Sequence, residues 1–189
     1  MCINPNNKDG AVGVPESLIL LPMKRLPTGC AGWNRLLAAL LLLLGGCLTP
    51  EGYYVEKVAD GDTLTLLDPQ QRKVKVRLYG IDAPESKQPY GRAAADYARQ
   101  LALGQYVQLV EKNKDRYGRV VAEVILPDGR NLNHELVRAG CAWHYVQYAN
   151  DPQLAALETE ARLARRGLWA TKRPQAPWLY RKKQREKRE

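Results

Sequence analysis

Long apolar runs are missing from this 189-residue sequence. The longest unbroken one, Leu36 to Leu44, is less than half of the roughly 20 residues that a membrane-crossing helix needs. Cysteine is scarce: Cys2, Cys30, Cys47 and Cys141 are the whole complement. There is no CxxC pair and no Cys/His cluster, which excludes a zinc finger or zinc ribbon. No internal repeat is visible, which excludes a solenoid. Acids are fewer than bases, 20 against 29, giving a net charge of +9 and a pI near 9.5. That balance points to a polyanionic partner, either nucleic acid or an anionic membrane surface. A hydrophobic content of 45% allows a real core and excludes global disorder.

The short apolar run has a different use. Met23 is followed by Lys24 and Arg25, then by Leu36–Leu44 and by Gly45-Gly46-Cys47. A basic segment, an apolar segment and small residues in that order form an export signal. Leu44 to Cys47, "LGGC", resembles the lipobox of bacterial lipoproteins, in which the cysteine is lipidated and becomes the mature N-terminus. Residues 1–22 then read as a start-site artefact, 23–46 as the signal peptide and 47–52 as anchor and linker. Cys47 is the expected lipidation site, and Leu48 rather than Asp after it points to the outer membrane and periplasm; secretion without an anchor is the alternative. Processing would leave Cys141 as the one free thiol. It sits between Gly140 and Ala142 and reads as a packed, inert group.

The remainder divides into short alternating segments. Residues 53–68 read as two strands broken at Asp60-Gly61-Asp62. Residues 72–79 alternate strictly, with Val74, Val76 and Leu78 on one face and Lys73, Lys75, Arg77 and Tyr79 on the other. Two further strands follow at 106–114 and 119–130. Helical patterns occupy 91–104, 131–140 and 151–167, the last opening with Asp151 as N-cap and Pro152 at N1. A mainly β chain with five short strands and three α-helices fits a five-stranded OB-type barrel, spanning 53–180. The last nine residues, "RKKQREKRE", read as a disordered basic tail.

The acids gather where the barrel strands end. A hairpin centred on Pro69-Gln70 would set Asp62 opposite Arg77, with Thr63 and Thr65 turned to the core beside Val76 and Val74. Asp82 and Glu85 follow within a short loop. Three carboxylates around one guanidinium repel one another unless a cation joins them, and hard oxygen donors suit Ca²⁺ or Mg²⁺; a surface ion-pair cluster is the plainer alternative. "DRYGR" (115–119) adds a second arginine, Arg119, after a tight turn. Two guanidiniums beside a cation suit phosphodiester hydrolysis, because charge builds on the phosphoryl oxygens as water attacks.

"DGDT" (60–63), "VRLYGIDAPE" (76–85), "DRYGR" (115–119) and "NHELVRAGCAW" (133–143), in this order and spacing, resemble staphylococcal nuclease, the thermonuclease family, over about residues 53–180. The resemblance implies a Ca²⁺-dependent endonuclease acting on DNA and RNA and leaving 5′-hydroxyl ends. It implies Asp62, Asp82 and the carbonyl of Ala83 as calcium ligands, Glu85 as general base or water organiser, Arg77 and Arg119 as the catalytic arginines, and Tyr117 beside the nucleotide phosphate. The founding enzyme has Thr where this chain has Ala83, and its loop after the equivalent of Glu85 is longer. Tyr145 and Tyr148 are candidates for stacking on a base, with packing as the alternative for each. His134 and His144 read as structural.

Two other classes of function compete. One is a non-catalytic OB-type module that binds nucleic acid without cutting it; the presence of Asp62, Arg77, Asp82, Glu85 and Arg119 argues against it. The other is an envelope protein that uses its basic tail on anionic lipid or cell-wall polymer. Nothing in the sequence identifies a protein partner.

Overall fold

The structure is a computed structural model and describes residues 52–188. The expected start-site segment, signal peptide and lipidation site, Cys47, lie outside the described residues. Among those described, no helix is long and apolar enough to cross a membrane.

Five strands close into a barrel in the order β1 (Tyr53–Val58), β2 (Thr63–Leu67), β3 (Lys73–Leu78), β6 (Val120–Ile125) and β5 (Tyr106–Lys114), with β5 returning to β1. All pairs are antiparallel except β3 with β6. The OB-type barrel expected from the sequence is thus the fold. Its interior follows from period-2 alternation: Val55, Leu64, Leu66, Val76, Leu78, Val107 and Val124 are fully buried. Outside the barrel, β4 (Ile81–Asp82) and β7 (Trp143–His144) form a two-residue antiparallel ladder.

Helix α1 (Gly91–Ala102) lays a stripe of small residues, Ala94, Ala98 and Ala102, on the barrel. Helix α2 (Leu132–Arg138) is capped by Asn131, whose side chain accepts from the amides of Asn133 and His134. Helix α3 (Pro152–Leu163) starts as read from the sequence, with the Asp151 carboxylate accepting from Gln153 at 2.8 Å and Leu154 at 3.3 Å.

Two expectations are corrected. The β2–β3 register pairs Thr63, not Asp62, with Arg77, and Leu64 and Leu66 with Val76 and Val74. Leu64 and Leu66, rather than Thr63 and Thr65, therefore face the core. The cause lies in the turn: Asp68 and Arg72 close a three-residue loop in which Gln71 takes the left-handed conformation, φ 61°. Asp68 braces that loop by accepting from the amides of Gln70 and Arg72, both at 2.9 Å. A three-residue loop with an αL residue shifts the register by one from a two-residue turn.

The second correction concerns the chain end. A fourth helix, α4 (Pro177–Glu186), runs through the segment read as a disordered tail. Arg, Lys, Gln and Glu are good helix formers, Pro177 presets the first turn, and the helix is anchored. The Trp178 ring stacks on Tyr145, with centroids 5.1 Å apart and planes 3° apart, and meets Trp143 edge-on at 5.5 Å.

Candidate functional site

Where β3 ends and β2 and β6 begin, a cleft of about 790 Å³ opens. Asp62, Arg77, Asp82, Ala83, Glu85, Tyr117, Arg119, Tyr145 and Tyr148 all line it. Every candidate from the sequence other than the undescribed Cys47 is therefore brought to one place.

The acidic side begins on the β1–β2 connection. Gly61 is needed there, because a Cβ would fall 2.7 Å from the Ala83 methyl and 2.9 Å from that of Ala94. Asp62 follows, 5% exposed. Its Oδ2 accepts from the Ala83 amide at 2.5 Å, and its Oδ1 lies against Arg77 Nη1. Asp82 is fully buried and its Oδ1 accepts from Arg77 Nη2 at 2.8 Å. Its backbone is held by the β4–β7 ladder, where Asp82 pairs with Trp143 and Ile81 with His144. One guanidinium thus bridges two buried carboxylates. The convergence expected from the sequence exists despite the shifted register, because Asp62 precedes β2 and its carbonyl accepts from the Leu78 amide at 2.9 Å.

The pocket carries more negative charge than Arg77 neutralises. Burial, and then the neighbouring Asp62, push the Asp60 carboxyl up to about 6. Burial also raises Asp82, against the pull of Arg181 and Arg77. Burial alone would lower Arg77, but Asp62 and Asp82 outweigh it and keep the group firmly cationic.

Arg119 immediately precedes the neighbouring strand, β6. Parallel pairing sets Arg77 beside Val121, two residues after Arg119, and both arginines line the cleft. The turn before it is organised by Asp115, which accepts from the Tyr117 amide at 2.9 Å, the Arg119 amide at 3.0 Å and Arg119 Nε at 2.7 Å. Burial works to raise Asp115, but these bonds prevail and hold it below the ordinary range. Tyr117 is 69% exposed, with Arg119 packed over its ring at 5.7 Å.

Glu85 is placed by a close backbone approach. Its carbonyl accepts from the Gln88 amide at 2.8 Å, and a Cβ on Gly91 would fall 1.8 Å from that oxygen. Gly91 therefore lets helix α1 start against the Glu85 main chain. Opposite, the Tyr145 amide donates to the Gly80 carbonyl at 2.8 Å. Tyr145 stacks on Trp178 and meets the tilted ring of Tyr148 at 4.7 Å, and Tyr148 is 71% exposed. Neither histidine belongs to the cleft: His144 is buried, with Nε2 2.8 Å from the Ala149 carbonyl, and His134 lies on α2.

The sequence reading missed Arg181. From α4 its Nη2 donates to Asp82 Oδ2 at 2.8 Å, and its Nη1 donates to Glu85 Oε1 at 2.8 Å and Asp82 Oδ1 at 3.2 Å. Trp178 and Arg185 also line the cleft. The available signal was Pro177 followed by Trp178, Arg181 and Arg185, a helical i, i+3, i+7 stripe, hidden within a run of like charge.

A hard divalent cation fits the donor chemistry in part. Among the described residues no three acidic side chains form a ready coordination shell. Asp62 and Asp82 do supply two adjacent buried carboxylates. Main-chain carbonyl and water would complete the shell.

Comparison with known proteins gives one consistent picture. The family described as "Staphylococcal nuclease homologue" matches residues 75–171. A protein of Escherichia coli described as an uncharacterized endonuclease is 46% identical over 127 residues, 67% of this chain and 82% of its own length. A Haemophilus influenzae protein of the same description is 39% identical over 130 residues, 69% of this chain and 72% of its own. Staphylococcal-like nuclease CAN1 of Arabidopsis thaliana is 41% identical over 114 residues, 60% of this chain and 35% of its own.

Proposed function

Because this chain belongs to the staphylococcal nuclease family, we propose that it is a calcium-dependent endonuclease that hydrolyses phosphodiester bonds of DNA and RNA. The observation that carries the reading is Arg77 bridging buried Asp62 and Asp82 in a cleft that also holds Glu85 and Arg119. The nuclease descriptions of the relatives support it.

Arg77 and Arg119 present planar forks to the non-bridging oxygens of the scissile phosphate, where negative charge grows during attack. Glu85 orients a water molecule and takes its proton. The water oxygen bonds to phosphorus as the bond to the 5′ oxygen breaks, and the leaving oxygen takes a proton from solvent to become a 5′-hydroxyl. Calcium, held by Asp62, Asp82 and the Ala83 carbonyl, would when bound neutralise charge on the phosphate. Tyr117 flanks the phosphate, and exposed Tyr148, backed by Tyr145 on Trp178, offers a ring face to a base, a contact of about 1–3 kcal/mol per base. A backbone-directed site of this kind reads little sequence.

Supercoiled plasmid tests this directly. Nicking in Ca²⁺ and none in EDTA is expected; binding without nicking in Ca²⁺ would leave only the non-catalytic module.

The anchor is part of the same reading. The basic segment, the apolar run and Gly45-Gly46-Cys47 support acylation of Cys47 and attachment to the envelope, with the outer membrane and periplasm as the destination. Clickable fatty acid should label the wild type and not Cys47→Ser. An unlabelled wild type in the aqueous phase would mean a secreted enzyme.

A further inference from the structure

A second groove, of about 420 Å³, lies beside the cleft along α4. Its lining includes Lys87 on one side and Tyr180, Gln184, Arg185 and Arg188 on the other. Glu85, Arg181 and Arg185 line both hollows, so the groove continues the cleft rather than standing apart from it. We propose that this groove binds the phosphates of the polynucleotide strand flanking the scissile bond, extending the substrate site onto α4. The inference rests on the nuclease reading above.

The groove is basic. Among the described residues Arg181 pairs with Asp82 and Glu85, whereas no ion pair engages Lys87, Arg185 or Arg188. Glu85 is the groove's acid and is already bridged by Arg181. The net field therefore favours an anion, and an extended one, because the bases are strung along the helix. Arg181 and Arg185 recur at i and i+4 on one face of α4, and Arg188 follows in the turn after Glu186, its amide donating to the Arg185 carbonyl at 2.9 Å. Four helical residues rise about 6 Å. A stacked strand carries one phosphate about every 3.4 Å, so Arg181 and Arg185 span about two phosphates and Arg188 extends the basic run beyond them.

The groove is also held in shape. The loop after Glu85 and α4 are pinned together. The buried Gln88 side chain donates its amide to the Gln175 carbonyl at 2.5 Å, and the Tyr180 hydroxyl donates to the Lys87 carbonyl at 3.4 Å. Trp178 fixes the start of the helix on Tyr145. The cations are thus presented on an anchored helix, not on a free tail. A concave groove that runs into the reaction cleft suits a strand better than a membrane surface does.

The test uses the full chain in EDTA, so that nothing is cut. Binding of fluorescent two- and eight-nucleotide oligothymidylates is measured by anisotropy across a salt series. In Lys87→Gln/Arg188→Gln the octamer should bind about tenfold more weakly at low salt. Its slope of log K against log salt should become shallower by about 1.4, at about 0.7 per lost phosphate contact. The dinucleotide should lose much less. The charge-restoring pair Lys87→Arg/Arg188→Lys should recover the octamer, which separates charge from damage to the fold. An unchanged octamer slope, or equal loss at both lengths, overturns the proposal. So does a variant that loses binding to phosphatidylglycerol vesicles while keeping the octamer, because the groove would then face lipid. Plasmid nicking by the wild type in Ca²⁺ is scored separately: its failure removes the catalytic reading and leaves the binding result standing.

Discussion

The barrel and α4 build opposite walls of one cleft by different means. On the barrel wall, Arg77 sits in β3 between two strand neighbours, Asp82 is locked by its ladder with Trp143, and Arg119 is clamped by Asp115. These side chains are short of freedom before any ligand arrives, which is what transition-state stabilisation requires. On the helix wall, Arg181 reaches the same carboxylates at the end of a long side chain, and α4 itself is held by Trp178 and two hydrogen bonds to neighbouring loops. A guanidinium placed in this way can exchange partners. A cation taking up Asp82 competes with Arg181 for the same oxygens. The barrel wall should therefore govern turnover, and the helix wall should govern affinity.

Substitutions on the barrel wall should give the largest losses. Asp82→Ala should abolish plasmid nicking and weaken Ca²⁺ binding; calorimetry with unchanged Ca²⁺ affinity would remove Asp82 from the cation site. Arg119→Lys keeps the charge and loses the fork, and should lower kcat by about 10²–10³-fold, as for one lost oxyanion donor. Full activity would mean that charge alone suffices. Glu85→Gln should cost about 10² in kcat with little change in nucleotide affinity, and near-normal turnover would reject Glu85 as the base. On the helix wall the sign reverses. Arg181→Gln should tighten Ca²⁺ binding severalfold by calorimetry, because it removes one of the two guanidiniums that hold Asp82; weaker binding would break the contrast between the two walls. One prediction lies away from both walls and leaves activity untouched. Burial pushes the Cys141 thiol up to about 11, so little thiolate exists at pH 8. Iodoacetamide should label the folded chain about 10²-fold more slowly than the urea-unfolded chain.

The strands and three of the helices were legible because each follows from a local rule: alternation in β3, an Asp-Pro start in α3, and turns at 60–62 and 128–129. The acids of the site were legible because they crowd into two short segments. The Asp62–Arg77 opposition was not, since register depends on how Gln71 turns within the 69–71 loop, and one residue of slip exchanges Leu64 and Leu66 for Thr63 and Thr65 in the core. Gly91 read as the start of a helix; only the approach of the Glu85 carbonyl shows why a side chain cannot stand there.

By itself the sequence determined the barrel, its chemistry-bearing residues and their order, because alternation, caps and short acidic motifs are local properties. Tertiary structure alone decided two things. The first is that β3 lies parallel to β6, which brings Arg119, just ahead of β6, to the same cleft as Arg77, more than 40 residues away in the chain. The second is that the final basic segment is a helix with Arg181 on Asp82 and Glu85. A run of like charge has no local reason to leave water. It folds here because the buried Asp82 carboxylate, about 100 residues earlier in the chain, needs positive charge, a need that exists only once the barrel has closed around it.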